Sequence, residues 1–231
     1  MIIHGFQKMT LLDYPSKIAC TVFTAGCNFR CPFCHNAPLV TRLKAEDAFT
    51  EEEILSYLGK RRGLLDGVCV TGGEPLLQDD FLAFAAKVKA MGFSLKLDTN
   101  GSFPDKLREA LASGLVDYVA MDIKNARERY AETIGKDGFL DAVGESIALL
   151  KAGTVDYEFR TTVCRELHTP DDIEAIGKWI AGAPRYFIQG FVDSNDLVGT
   201  ETLTAPERET LDEMLRRAQK YVPNASLRGI E

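Results

Sequence analysis

Cys27, Cys31 and Cys34 fall in the run GCNFRCPFCHN with the spacing CxxxCxxC. Four cysteines would ligate every iron of a cubane [4Fe–4S] cluster. Three on one short loop hold three irons and leave the fourth open to an external ligand. The pattern therefore implies chemistry on a bound molecule. A Cys3His zinc site can nominally be drawn from the same cysteines and His35. Adjacent residues such as Cys34 and His35 rarely reach one tetrahedral ion together, however, and no second CxxC pair follows. Three unligated thiols crowded in a polar loop would be an oxidation liability with no packing reason to be grouped. Cys20 and Cys69 lie among apolar neighbours in candidate strands and are expected to be small buried hydrophobes. Cys164 stands near the end of a later strand.

The scaffold for this loop comes from 231 residues, 45% hydrophobic and 26% charged, which suits one sizeable core and leaves little room for two complete domains. A formal charge of -7 argues against nucleic acid or an anionic membrane as the main partner. His4, Gln7, Lys8 and Asp13 interrupt the N-terminal segment where a secretory signal would be unbroken and apolar. No later run approaches the roughly 18 apolar residues of a membrane span. The expected location is cytoplasmic, where cysteines stay reduced and serve metals or catalysis rather than disulfides.

Short β-branched runs alternate with amphipathic stretches of helical period, the rhythm of βα units on a parallel sheet. Six strands are expected, at 18–24, 67–72, 94–100, 116–124, 155–163 and 185–191. Between them lie helices: TEEEILSYLGKRR, with Thr50 and Glu53 in capping-box spacing; DDFLAFAAKVKAMG, ended by Gly92; and PDKLREALASG, between Pro104 and Gly114. GFLDAVGESIALLKAG, TPDDIEAIGKWIAG and the C-terminal APERETLDEMLRRAQKY follow. The fold class is α/β: a partial (βα)6 TIM-like barrel with an N-terminal extension and a C-terminal helix. Right-handed crossovers gather the loops after each strand at one mouth, where the cysteine loop belongs.

CxxxCxxC with Phe33 before its last cysteine, followed by GGEP (Gly72, Gly73, Glu74, Pro75), resembles the radical S-adenosylmethionine enzymes. Within them it resembles the activases of glycyl radical enzymes, most closely those of anaerobic ribonucleoside-triphosphate reductase, through TLLDYPSK, CHN, LDTNG and MDIK. The resemblance implies one radical SAM domain over residues 1–231 with its core at about 16–191. It also implies a [4Fe–4S] cluster on Cys27, Cys31 and Cys34 whose open iron is chelated by the amino and carboxylate groups of S-adenosylmethionine. Gly72, Gly73, Glu74 and Pro75 are then similar to the segment holding the amino group. Asp98 and Thr99 of LDTNG and Asp122 of MDIK are similar to positions that, in the pyruvate formate-lyase type, hold a monovalent cation and the methionine carboxylate; Lys124 then offers a direct positive charge, and Asn100 is counted with the cofactor-binding residues.

Arg160, inside a β-rich run, is costly to bury without an anion; by resemblance it meets the cofactor's carboxylate or ribose. The same resemblance implies that Gln189 reaches towards the ribose and that Phe33, His35 and Asn36 belong to the cofactor loop. His4 and His168 are expected to be structural. The implied reaction takes one electron from a flavodoxin or ferredoxin, cleaves the sulfonium C5'–S bond, and uses the 5'-deoxyadenosyl radical to abstract hydrogen from a glycine Cα on the partner enzyme. Alternatives are activation of another glycyl radical enzyme, of the pyruvate formate-lyase type, or a small-molecule radical enzyme such as 7-carboxy-7-deazaguanine synthase. A zinc or iron–sulfur binding module is a third.

Protein purified without oxygen is expected to be brown. Alanine at Cys27, Cys31 or Cys34 should abolish cofactor cleavage, whereas alanine at Cys20, Cys69 or Cys164 should leave the visible absorption largely intact.

Overall fold

The computed structural model describes residues 1–44, 48–153, 155–194 and 196–229. Eight strands form one sheet in chain order: β1 (Ile3–Thr10), β2 (Ala19–Thr24), β3 (Gly67–Gly72), β4 (Ser94–Thr99), β5 (Tyr118–Asp122), β6 (Asp156–Val163), β7 (Tyr186–Gly190) and β8 (Ala225–Arg228). From β2 to β8 every pairing is parallel, and β1 runs antiparallel to β2. All six expected strands are present. The extension and tail add two more: β1, whose Gly5 and polar Gln7 and Lys8 break the alternation that marks a strand, and the four-residue β8. Order β1 to β8 leaves the sheet unclosed, as a partial barrel.

Helices follow the strands: α1 (Ala37–Val40) after β2, α2 (Glu51–Gly59), α3 (Phe81–Ala90), α4 (Pro104–Ala112), α5 (Tyr130–Ile134), α6 (Leu140–Ala152), α7 (Pro170–Trp179) and α8 (Arg208–Gln219). Thr50 and Glu53 form the reciprocal capping box foreseen for α2, and Thr169 with Asp172 forms another on α7; such caps contribute about 1 kcal/mol each. Among the described residues no helix is long and apolar enough to cross a membrane.

The period-two alternation of each strand splits its side chains between two environments. Val68, Val70, Leu95, Leu97, Val119, Met121, Phe159 and Ile188 are buried in the main core with Leu58, Phe84, Leu107, Ile147 and Ile176 of the helices. Of the residues in the opposite phase, Thr71, Asp98, Asp122, Arg160 and Gln189 line a cavity inside the barrel, and Lys96 and Glu158 share their phase. Cys69 belongs to this inward set. It is buried as expected, but between Val68 and Val70 it faces the lumen, with Sγ 3.7 Å from Asp98 Oδ1 and 3.9 Å from Lys96 Nζ.

The turn after β3 is pressed against the loop after β2. Gly73 N–H donates to the Thr24 carbonyl and Glu74 N–H to that of Gly26, both at 2.8 Å. A Cβ on Gly73 would lie 1.8 Å from the Gly26 carbonyl oxygen; one on Gly72, where φ is +113°, would lie 2.5 Å from Thr24 backbone. Only glycine lets these segments approach so closely. Gly73→Ala is therefore expected to destabilise the protein by about 3 kcal/mol, at the upper end for single substitutions. Gly144→Ala on α6, whose new methyl meets Trp179 at an ordinary 3.8 Å, should stabilise by about 0.5–1 kcal/mol through helix propensity. Urea denaturation checks both.

Candidate functional site

The loop from Ala25 to Asn36 leaves β2 at the mouth and is anchored along its length. Gly26 N–H donates to the Leu39 carbonyl at 2.7 Å and Arg30 N–H to that of Ile134 at 2.8 Å. The Arg30 guanidinium donates to the carbonyls of Cys27 and Phe29, and the Phe29 ring packs edge-on to Phe139. Cys31 is buried; Cys27 and Cys34 are half-buried. All three line one cavity of about 250 Å³.

The chemistry of this donor set fits a cluster held by three thiolates. Cys27 Sγ accepts from Phe29 N–H at 3.4 Å and lies 3.7 Å from Asn100 Nδ2, and hydrogen bonds to ligand sulfur are among the levers that tune iron–sulfur potentials. Among the described residues, no group of three Cys, His, Asp or Glu side chains is arranged to hold a single metal ion, the convergence a mononuclear zinc site requires. Cys20 and Cys164 are buried in the apolar core, away from the cavity.

Five charged side chains on and just after β4 to β6 alternate in sign. Lys96 donates to Asp98 Oδ1. Arg160 Nη1 donates to Asp98 Oδ2 and its Nε to Asp122 Oδ1, each at 2.9 Å, and Lys124 Nζ donates to Asp122 Oδ2 at 2.9 Å. Burial pushes both carboxyls up, but Arg160 and Lys96 more than offset this at Asp98, and Arg160 and Lys124 bring Asp122 down to about 2. Burial disfavours the charge on Lys124, yet Asp122 and the nearby Cys31 hold its pKa above the ordinary lysine value. Three cations against two carboxylates leave the row as a whole with one net positive charge. The Arg160 guanidinium thus bridges Asp98 and Asp122, the two carboxylates between which resemblance implied a monovalent cation. Thr99, at the cavity wall, donates its hydroxyl to Glu74.

Phe33, His35, Asn36, Gly72, Gly73, Asp98, Thr99, Asn100, Asp122, Lys124, Arg160 and Gln189 all line the cavity. Asn36 Nδ2 donates to the Gly72 carbonyl at 2.9 Å, and His35 packs against Phe191. Glu74 and Pro75 stand behind the wall. Glu74 is fully buried and accepts from Leu76 N–H (3.0 Å), Thr99 Oγ1 (2.8 Å) and Asn100 N–H (2.7 Å), clamping the β3 turn to the end of β4; Pro75 opens a single 3-10 turn.

Several contributors went unread in the sequence. Asn28 and Ser102 join Asn100, already singled out in its motif, in a closed polar ring beside Cys27, with Asn100 Nδ2 to Asn28 Oδ1 at 3.0 Å and Asn28 Nδ2 to Ser102 Oγ at 2.8 Å. Thr162 lines the cavity two residues beyond Arg160, a position that alternation alone would have flagged. His168 is structural as expected, holding Cys164 N–H on one ring nitrogen and the Lys124 carbonyl on the other.

Burial, against the three donors, pushes Glu74 up from 4.5 to about 7. The folded protein therefore retains that proton more tightly than the unfolded chain. Stability from this group is full below pH 4.5 and is lost as pH rises to about 7, by roughly 3 kcal/mol. In Glu74→Gln this fall should vanish. Urea denaturation of the cluster-free protein across the window measures the difference in slope between the two.

A sequence model of the radical SAM superfamily matches residues 21–180. A Methanocaldococcus jannaschii protein, provisionally named glycyl-radical enzyme activating enzyme MJ1227, is 33% identical over 99% of this chain and 96% of its own. The pyruvate formate-lyase-activating enzyme of Clostridium pasteurianum is 35% identical over 147 residues, 60% of each chain. In fold, Streptococcus suis SuiB bound to S-adenosylmethionine superposes with a TM-score of 0.72 at 13% identity, covering 90% of this chain; the chain spans about half (49%) of that structure's length. With these matches the chain belongs to the radical SAM superfamily, whose members pair a [4Fe–4S] cluster with S-adenosylmethionine.

Proposed function

We propose that this chain, as one radical SAM domain with its core at about 16–191, activates a glycyl radical enzyme, and that its partner is anaerobic ribonucleoside-triphosphate reductase. The observation that carries the reading is that three thiols, one ligand short of a cubane, share a cavity with Lys124 and Arg160, cations of a paired row of buried charges. When bound, cluster and cofactor together supply reductive cleavage of the C5'–S bond and the means to take a hydrogen atom from a glycine Cα.

The protein's part is to bind, orient and exclude water. Cys27, Cys31 and Cys34 would hold three irons. The Gly72–Gly73 backbone, without side chains, would admit the cofactor's amino group, with Glu74 setting the turn from behind. Lys124 and Arg160 would receive its carboxylate through charge-assisted hydrogen bonds. Gln189 would lie along the ribose, and Phe33, His35 and Asn36 would flank the adenine. No side chain is needed as a general acid or base. Exposed Leu77 and Val192, on the loops after β3 and β7, give the mouth an apolar rim for an inserted glycine loop. A flavodoxin or ferredoxin would deliver the electron.

The names of the relatives support a protein target, and TLLDYPSK, CHN, LDTNG and MDIK support the reductase. Anaerobic co-expression with the reductase, followed by electron-spin resonance, should show a glycyl radical that is absent with Cys31→Ala. No glycyl signal despite an intact cluster would rule out that partner, and pyruvate formate-lyase is the next to try. Lys124→Ala should weaken S-adenosylmethionine binding about tenfold or more by calorimetry, the loss of a charge-assisted contact.

A further inference from the structure

Lys96 is the one member of the charge row that does not line the cavity. It is 1% exposed, inside the barrel, with its ammonium on Asp98 Oδ1, Cys69 Sγ at 3.9 Å and the face of Tyr118 at 6.0 Å. A lysine so placed needs a strong reason, because burying an ammonium costs several kcal/mol before its partner offsets it. Local packing does not supply that reason. Leu95 and Leu97 on the same strand fill the helix-facing core, and the neighbouring lumen position is the small Cys69.

The reason lies in the charge count. Without Lys96 the row would read Asp98, Arg160, Asp122, Lys124: two negative, two positive and no excess. Asp98 Oδ1 would also lose its cation. A carboxylate entering the cavity would then meet a neutral row ending in an exposed negative charge, which repels it unless a metal cation comes in with it. With Lys96 present both oxygens of Asp98 and both of Asp122 have covalently tethered cations, and one positive charge is left over.

We propose that Lys96 is a positioning residue for cofactor binding: its ammonium is a built-in counter-ion that replaces a dissociable sodium or potassium ion and makes the site receptive to the carboxylate of S-adenosylmethionine whatever the monovalent salt. This rests on the reading that the carboxylate meets Lys124 and Arg160.

The test is calorimetric titration of anaerobic, cluster-loaded protein with S-adenosylmethionine in sodium, potassium or choline chloride. Ionic strength is held at about 0.1 M, so that screening of surface charges is the same throughout. The wild-type dissociation constant should agree in the three salts. In Lys96→Ala, affinity in choline should fall about tenfold, equivalent to 1.4 kcal/mol, and recover on adding potassium, a response that a purely structural role would not give. Wild-type affinity that collapses in choline overturns the proposal, and that arm requires no variant to fold. Lys96→Ala binding like wild type in choline, or staying weak whatever the salt, also overturns it. Lys124→Ala is the control: if it binds like wild type, the placement of the carboxylate is wrong. If it weakens while Lys96→Ala does not, only the role of Lys96 fails.

Discussion

A guanidinium held between two buried carboxylates organises this site. Arg160 reaches Asp98 with Nη1 and Asp122 with Nε, so the ends of β4, β5 and β6 are tied through one planar group with a fixed geometry of donors. Like charges this close would otherwise drive one another to protonate. With Arg160 between them, both acids titrate below the ordinary range. Their charge is therefore a constant of the fold, and the cations beyond them, Lys96 and Lys124, inherit fixed positions.

That arrangement depends on a barrel whose two faces have been given opposite tasks. Outward residues of β3 to β7 make an apolar core with the helices, and this supplies the hydrophobic driving force. Inward residues are then free to be charged. The cost of burying them is met by mutual pairing: no buried side-chain nitrogen or oxygen among the described residues lacks a hydrogen-bond partner. Glycines do the remaining positioning work, letting the β3 turn lie against the cysteine loop where a methyl group would push them apart.

Much of this was legible in the sequence because it is local. CxxxCxxC, GGEP, LDTNG and MDIK are each contiguous, each ends a strand, and βα topology delivers all four to one mouth. Arg160 could be picked out because an arginine in a β-rich run demands an anion. Less legible was anything decided between strands. Cys69 looks like a core residue among valines until the phase of β3 is known, and that phase turns it to Lys96 instead. That one guanidinium spans both carboxylates could not be read from either motif alone. Glu74 reads as a ligand in its motif, yet its oxygens accept hydrogen bonds from Leu76, Thr99 and Asn100. The strands β1 and β8 were missed because edge strands need little alternation to pair.

Below the charge row the lumen has a floor of its own. Glu158, 1% exposed, accepts from the Tyr118 hydroxyl at 2.7 Å and from Arg228 of β8 at 3.0 Å, and Arg228 lies over the Phe187 ring at 3.5 Å. The final strand thus brings the C-terminal segment into electrical contact with the inside of the barrel. Clipping it, or displacing it with a fusion partner, would strand a buried carboxylate, a defect of about 3–5 kcal/mol when an enclosed ion pair loses one side. Proteolysis near residue 225 would therefore be felt far beyond the peptide it removes.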